Sequence, residues 1–235
     1  MADNQPPSQP FNKDHAEAYD ARWKPLSPLS EAMHLLSRGA LDGLADNARI
    51  LCAGVGTGAE ILYLGKIYPG WRFTGFDPSE AMLGVCRANL DAAGLSDRCE
   101  LHHGVVDTLP QSAPFDAATS FLVSHFLTDT DERGAFFHAV AQRLRPGGVF
   151  VNADLAPDRS DSSYPALMDI WLNTLALADM DEAGRDRYEE MFGKAVAAHT
   201  PEEVEALIAA NGFDRPVRYY QAAMIYVWAA RKSAA

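Results

Sequence analysis

The sequence has few cysteines, a deficit of basic residues and no long apolar run. Its three cysteines are an odd number and form no C-x-x-C pair, which argues against a disulfide framework or a zinc ribbon. Acidic residues outnumber basic residues by 32 to 20, and no basic stripe is present that would displace counterions from phosphates. We therefore expect neither a nucleic acid nor an anionic membrane surface as a partner.

Other absences bear on the location of the protein. The first residues lack the basic and apolar regions of a signal peptide, and no apolar run reaches the roughly 18 residues that cross a bilayer. Cys52 and Cys86 lie in apolar patterns, so we interpret them as unpaired core residues. Together these features predict a cytoplasmic protein in a reducing environment.

The 235 residues have the length of one large α/β domain. From residue 49 to residue 154, short apolar strands alternate with helical patterns. We predict strands at 49–53, 71–76, 99–104, 115–122 and 149–154, helices at 59–68, 80–93 and 129–144, and a turn at 145–148. This alternation predicts a Rossmann-like α/β fold, in which a mostly parallel sheet carries helices on both faces.

The flanking segments have their own patterns. Residues 1–11 are rich in Pro and Gln and predict a mobile tail, 12–44 predict a helical cap, and 45–235 predict the main domain. A helical insertion at 155–198 is longer than a connector requires, which makes it a candidate homodimer contact. Thr200 and Glu203 predict a helix start, and strands at 217–221 and 224–230 predict an antiparallel closing pair.

A glycine-rich loop follows the first predicted strand. Its sequence, Ala53-Gly54-Val55-Gly56-Thr57-Gly58, allows a tight turn and a close backbone approach to a ligand beyond the strand ends. Either a dinucleotide or an adenosyl sulfonium cofactor suits these glycines. Glu60 in the first helical turn, with no Lys or Arg between residues 50 and 64, favours the cofactor without a phosphate. Alternatively, Glu60 is there because the helix dipole stabilises it.

Two acidic residues follow the next predicted strands. Asp77 ends the second strand, where its carboxylate can accept ribose hydroxyl groups in either class of cofactor. Asp107 follows the third strand, where it can accept the adenine amino group while Val106 packs against the ring. Acids at neighbouring strand ends therefore predict an adenosine-binding edge.

Several motifs occur in the order that is typical of one family. They are RILCAGVGTG at 49–58, GFDPSEAML at 75–83, Val106-Asp107, Phe115-Asp116 and LRPGG at 144–148. As a set, over residues 45–155, they strongly resemble the class I S-adenosylmethionine-dependent methyltransferases. The resemblance implies a seven-stranded sheet whose last strand is antiparallel, and S-adenosylmethionine as the cofactor.

The resemblance also implies residue roles. The glycine loop would hold the methionine end, Asp77 the ribose and Asp107 the adenine, with Met82 on the adenine and Phe121 near the sulfonium. Ala53 is a departure, because many members have an acidic or larger residue before the first glycine. The implied cofactor residues are Ala53, Gly54, Gly56, Gly58, Asp77, Pro78, Met82, Val106, Asp107 and Phe121.

Methyl transfer needs a general base only if the acceptor must lose a proton. His125 follows the fourth strand and is the candidate base, since an imidazole accepts protons near neutral pH. Asp154 ends the fifth strand and is a candidate to orient an acceptor or bind a metal. For both residues, packing is the alternative role. His102 and His103 are adjacent on a strand and point to opposite faces, so we expect no metal site there.

Aromatic residues outside the repeating pattern are candidates to contact the ligands. Tyr19 and Trp23 lie on the helix that precedes the core and can fold over the cofactor, because aromatic faces attract a sulfonium. Tyr164 and Trp171 lie in the insertion and can line an acceptor pocket. Packing without ligand contact is equally consistent with all four positions.

These observations predict a methyltransferase that acts on a small molecule. A fainter resemblance to the carboxy-S-adenosylmethionine synthases rests on the N-terminal helices, the insertion and the YYQAAM sequence at 219–224. Arg185 and Arg187 are the candidates for that family's carboxylate-binding arginine. A non-catalytic cofactor-binding module and a nicotinamide-dependent oxidoreductase are also compatible with the glycine loop.

Overall fold

The structure is a computed structural model that describes residues 13–178, 180 and 182–234. The mobile tail predicted at 1–11 lies outside the described residues. Seven strands form one sheet in the order β3-β2-β1-β4-β5-β7-β6. The strands are β1 Arg49–Ala53, β2 Arg72–Asp77, β3 Cys99–His103, β4 Phe115–Phe121, β5 Leu144–Leu155, β6 Val217–Ala222 and β7 Ile225–Arg231.

The first five strands run parallel, and β7 is antiparallel to both of its neighbours. This confirms the predicted seven-stranded sheet and the antiparallel closing pair. Strand order reverses between β1 and β4, because β2 and β3 lie on one side of β1 while β4 and β5 lie on the other. In a sheet of this kind, the crevice beyond the strand ends at the reversal is the expected ligand site.

Eight α-helices are described around the sheet. They are α1 Lys13–Trp23, α2 Ser27–Ala40, α3 Ala59–Ile67, α4 Glu80–Ala92, α5 Thr130–Arg143, α6 Tyr164–Leu175, α7 Glu182–Met191 and α8 Pro201–Ala210. Side chains alternate along β1, so that Ile50 and Cys52 pack under α2, α3 and α4, while Leu51 and Ala53 pack under α5 and α8. Two buried cores therefore hold the sheet rigid beneath the loops that leave it.

A third apolar cluster, which we call the cap cluster, joins the N-terminal helices to the insertion. It unites Trp23 and Leu26 with the aromatic side chains of α6 and with Leu122 and Leu155, which follow β4 and end β5. The cap cluster therefore lies at the same edge of the sheet as the expected ligand site. Among the described residues, no helix has the length and apolar character needed to span a membrane.

Local signals located most helix ends correctly. The Thr200 hydroxyl accepts from the Glu203 N–H while the Glu203 carboxylate accepts from the Thr200 N–H, so the predicted capping box is present at α8. The turn predicted at 145–148 is wrong as a break between elements, because β5 already begins at Leu144. Leu144 pairs with Phe115, and the pairing shifts before Ala117 meets Val149, so residues 145–148 form an irregularity inside the strand.

Candidate functional site

The glycine loop between β1 and α3 has a backbone that only glycine adopts readily. Gly54, Gly56 and Gly58 have φ values of +59°, +54° and +88°. A Cβ atom on Gly54 would lie 2.5 Å from a methyl carbon of Val123, just after β4. The sequence therefore needs glycine both for the turn and for the close passage of the loop past the end of β4.

Asp77 connects the ends of three strands. Its carboxylate accepts from the Gly56 N–H at 3.0 Å and from the Ser79 N–H at 2.8 Å, which ties the glycine loop to the start of α4. Its backbone carbonyl accepts from the Gly104 N–H at 3.0 Å, just beyond β3. Burial raises the pKa of Asp77, and the Ser79 and Gly56 N–H groups oppose that rise.

These groups fit the adenosyl end of S-adenosylmethionine. Each oxygen of Asp77 accepts one of these backbone hydrogen bonds and has further capacity to accept a ribose hydroxyl. The Met82 methyl group lies 3.5 Å from where a Cβ on Gly56 would stand, so the thioether forms an apolar wall beside the loop. Pro78 is exposed at the same corner, and its carbonyl oxygen bonds the His103 ring nitrogen.

Val106 and Asp107 lie on a short helical turn, Val106–Thr108, at the predicted adenine position. Val106 is buried, as expected for a residue that packs against the adenine ring. Asp107 is exposed, as expected for a residue that accepts a hydrogen bond from the adenine amino group. Arg143, at the end of α5, donates to the carbonyl oxygens of Val106, Leu109 and Pro110 at distances of 3.1, 2.7 and 2.8 Å. Arg143 therefore fixes the backbone on which the predicted adenine contacts stand.

The Glu60 side chain is buried and does not present a carboxylate at the surface of the glycine loop. Its side chain is buried, and neither of its oxygens has a hydrogen-bond partner among the described residues. Burial raises the pKa of Glu60 to about 7, while the neighbouring Cys52 thiol and Thr119 hydroxyl act in the opposite direction. The idea that Glu60 repels a pyrophosphate is therefore weakened, because its carboxyl group turns towards the sheet.

Helix α1 lies against the glycine loop and α4. The Asp20 carboxylate accepts from the Thr57 hydroxyl at 2.7 Å and from the Asn89 amide at 3.1 Å. Tyr19 is half-buried, and burial together with the charges of Asp20 and Asp77 raises its pKa. Tyr19 therefore lies near the predicted ribose acceptor, and Trp23 lies one turn further on in ring contact with it.

The chain turns sharply where β4 ends. Leu122 has a φ of +60°, which costs a side chain other than glycine about 1–3 kcal/mol, and its N–H donates to Ala153 at 2.7 Å. Phe121, the predicted neighbour of the sulfonium, has its ring 5.4 Å from the ring of His34 on α2. Strained residues of this kind cluster at functional sites, and this turn lies against the glycine loop, where Val123 meets Gly54.

His125 and Asp154 meet in a buried network. Asp154 is fully buried and accepts from the His125 Nδ1 at 3.0 Å and from the Arg133 guanidinium at 2.8 Å. Ser124, Asn152 and the His125 backbone N–H also donate to it. Burial alone would raise the pKa of Asp154, but Arg133, His125 and Ser124 together hold it well below the ordinary range. This geometry leaves Asp154 no open face for an acceptor or a metal.

The predicted acceptor residues of the insertion lie inside the cap cluster. Tyr164 and Trp171 are both buried there, and the Trp171 indole N–H donates to the Tyr188 hydroxyl at 2.8 Å. Arg185 on α7 donates to the side-chain oxygen of Asn173 on α6, and this hydrogen bond is exposed at the surface of the insertion. The structure thus brings Tyr164 and Trp171 to the correct edge of the sheet, through packing.

Four residues of this region could not be found from the sequence pattern. Asp20, Asn89, Arg133 and Arg143 each make their contact with a residue far along the chain, and no local motif contains them. Of the four, only Asp20 has a partial signal in the sequence, because its spacing from Ala16 and Trp23 places the three positions on one face of α1.

Replacing Glu60 tests the buried carboxyl group. Since its pKa rises from 4.5 in the unfolded chain to about 7, the folded protein loses stability as pH rises between these values. Glu60→Gln removes the titrating group, so its stability relative to wild type should improve by about 2–3 kcal/mol from pH 5 to pH 8. Urea unfolding at both pH values measures this difference, and parallel stabilities would contradict it.

Replacing Arg133 tests the network below His125. Arg133→Met leaves the Asp154 carboxylate buried without its cation, which should lower the free energy of unfolding by about 3–5 kcal/mol. Adding Asp154→Asn removes the stranded charge and should recover part of that loss. Denaturant unfolding of the single and double variants compares the two. If Arg133→Met were as stable as wild type, the ion pair between Arg133 and Asp154 would not contribute to the stability of the protein.

Several proteins with similar sequences are named as methyltransferases. Residues 50–148 match a family described as "Methyltransferase domain". A fatty-acid O-methyltransferase of Mycolicibacterium smegmatis is 30% identical over 138 residues, covering 55% of this chain and 48% of that protein. An erythromycin 3''-O-methyltransferase of Saccharopolyspora erythraea is 27% identical over 140 residues, covering 57% and 44%. The chain spans less than half the length of these relatives.

Solved structures share the fold. Human N-acetylserotonin methyltransferase, solved in complex with S-adenosylmethionine, superposes with a TM-score of 0.61 at 16% identity, covering 97% of this chain and 61% of that one. An O-methyltransferase family 2 protein from Planctomyces limnophilus, solved with apigenin, gives 0.60 at 22% identity, covering 96% and 63%. The family match sets aside a nicotinamide-dependent oxidoreductase. Residues 50–148 therefore match a methyltransferase domain, and S-adenosylmethionine is the cofactor that this match and the similar proteins support.

Proposed function

We propose that the protein transfers a methyl group from S-adenosylmethionine to an oxygen atom of a small-molecule acceptor. The observation that carries the cofactor half is the link between Asp77 and the Gly56 N–H, which joins two adenosine-binding motifs in one crevice. The O-methyltransferase names of two relatives support oxygen as the methylated atom. When bound, the cofactor supplies a methyl group that is activated by its sulfonium.

The positions of the cofactor residues support a role for each. Asp77 accepts the ribose hydroxyls, and the glycine loop with Ala53 and Phe121 surrounds the methionine end. Val106 and Met82 provide apolar walls for the adenine, and Asp107 accepts its amino group. Pro78 shapes the corner between the ribose and adenine positions.

An apolar cover over the strand ends supports a small, largely apolar acceptor. The cap cluster brings Leu122 and Leu155 together with Trp23, Tyr164 and Trp171. Such a cover excludes water from the reaction and favours molecules that bury apolar surface. We propose residues 12–44 and 155–198 as the two parts of this cover, on a main domain of 45–235.

His125 is the proposed general base. Because the ionised Asp154 can only accept hydrogen bonds, the imidazole proton lies on Nδ1, and Nε2 keeps its lone pair. An acceptor hydroxyl at Nε2 can give up its proton as the oxygen takes the methyl group. In this scheme Asp154 is a positioning residue, which acts through His125 and never touches the acceptor.

The surface charge and the insertion support further proposals on partners. The net charge of −12 supports an acceptor other than nucleic acid. The free thiols of Cys52, Cys86 and Cys99 support a cytoplasmic location. A homodimer through the insertion is also proposed. Ile170 and Leu177 are exposed large apolar side chains of this segment.

Asp77→Ala should weaken the binding of S-adenosylhomocysteine by about 1–3 kcal/mol, the usual loss for hydrogen bonds to a charged acceptor. Isothermal titration calorimetry measures the change, and circular dichroism checks the fold. Asp77→Asn, which keeps one acceptor oxygen, should lose less. Equal affinities for all three proteins would remove Asp77 from the ribose role.

His125→Asn should lower kcat by about 100-fold or more without changing cofactor affinity, because a general base contributes on that scale. The assay follows S-adenosylhomocysteine release across fatty acids, macrolides and flavonoids. His138→Asn, at an exposed position on α5, is the matched control. A variant as active as wild type on an accepted substrate would contradict the base role. Turnover confined to proteins or nucleic acids would contradict the small-molecule acceptor.

A further inference from the structure

Helix α1 is joined to the centre of the cofactor loop by one side chain. The Asp20 carboxylate accepts from the Thr57 hydroxyl, and Thr57 stands between the glycines of the loop. Asn89 on α4 donates to the other Asp20 oxygen and also to the Thr57 backbone carbonyl at 3.0 Å. Three elements, α1, the loop and α4, therefore meet in one closed set of hydrogen bonds.

Apart from this set, three side chains among residues 16–23 of α1 are at least partly covered. Ala16 is buried on its inner face, Tyr19 and Trp23 are half-buried, and the positions between them are exposed. Within residues 16–23, where side chains are described, one alanine and two partly covered rings supply the apolar contact. The hydrogen bonds of Asp20 add a polar attachment to this contact.

The segment after α1 is firmly anchored. Lys24–Leu26 forms a short 3-10 turn that contains Pro25 and ends at the buried Leu26. The next helix, α2, inserts Met33 into the core beneath the sheet. A movement of α1 can thus be confined to Lys13–Trp23, with Lys24–Leu26 as its hinge.

Helix α1 also lies beside the glycine loop, which borders the proposed ribose position. Thr57 is only 4% exposed although it belongs to a surface loop, and Tyr19 lies near Asp77. A ligand that binds beside Asp77 and the glycine loop would therefore lie next to this helix. Its attachment to Thr57 is therefore in a position to govern how fast the cofactor leaves.

We propose that α1 is a lid on the cofactor site and that Asp20 is its latch, a positioning residue that closes the lid by binding Thr57 and Asn89. This inference rests on the proposed function, because it takes S-adenosylmethionine as the occupant of the crevice. The latch sets the residence time of the cofactor, and breaking it speeds release. Opening requires only that Thr57 and Asn89 exchange one carboxylate for water.

The test measures release of labelled S-adenosylmethionine from the full chain after a chase with excess S-adenosylhomocysteine. Asp20→Ala should release the cofactor about tenfold faster, since two hydrogen bonds to a carboxylate are lost at a partly exposed site. Thr57→Val should have a similar effect. The double variant should release the cofactor no faster than Asp20→Ala, because the bond that Thr57→Val removes is one of the two that Asp20→Ala removes.

Two controls separate the latch from a general loss of structure. Asp20→Asn keeps an oxygen for the Thr57 hydroxyl and should release the cofactor more slowly than Asp20→Ala. Glu31→Ala removes an exposed carboxylate from α2 and should behave as wild type. Hydrogen exchange should show that cofactor protects residues 13–23 in wild type and much less in Asp20→Ala, at an unchanged urea midpoint.

The outcomes separate the latch from the proposed function. Wild-type protein that binds neither S-adenosylmethionine nor S-adenosylhomocysteine would overturn the proposed function and the latch with it. Normal binding with equal release from wild type, Asp20→Ala and Thr57→Val would overturn the latch alone. Additive effects in the double variant would also overturn it, since Asp20 and Thr57 would then act independently.

Discussion

The candidate site depends on one residue, Asp77, whose hydrogen bonds hold the ends of three strands together. Asp77 bonds the Gly56 N–H, the Ser79 N–H and, through its carbonyl, the Gly104 N–H. Together with the hydrogen bond from the Val55 N–H to the Phe76 carbonyl oxygen at 3.0 Å, these bonds fix the glycine loop relative to β2. The group proposed to bind the ribose is thus also the group that shapes the crevice around it.

Two kinds of contact attach the helices around this crevice to the rest of the protein: packing of buried side chains and hydrogen bonds. The insertion and α2 are tied down by buried side chains of the cap cluster and the main core. Helix α1 is attached to the glycine loop and α4 through the hydrogen bonds of Asp20, and its last residue, Trp23, packs in the cap cluster. In the proposed lid, the Asp20 bonds open while the cap cluster stays ordered.

Local patterns predicted the sheet, its closing antiparallel pair and the glycine loop, because turns, caps and strand alternation depend on residues close in sequence. The burial of Glu60 could not be predicted, because an acidic residue in the first turn of α3 gives the same sequence pattern whether its side chain faces water or the sheet. The same holds for Asp154, whose cation Arg133 lies 21 residues away on α5. The Asp20–Thr57 bond spans 37 residues between elements that no motif relates.

A crystal structure with S-adenosylhomocysteine tests the central claim most directly. It should show both ribose hydroxyls on the Asp77 carboxylate, with the Gly56 N–H still bonded to the same side chain. An adenosyl group bound elsewhere, with Asp77 contacting only Gly56 and Ser79, would contradict the account.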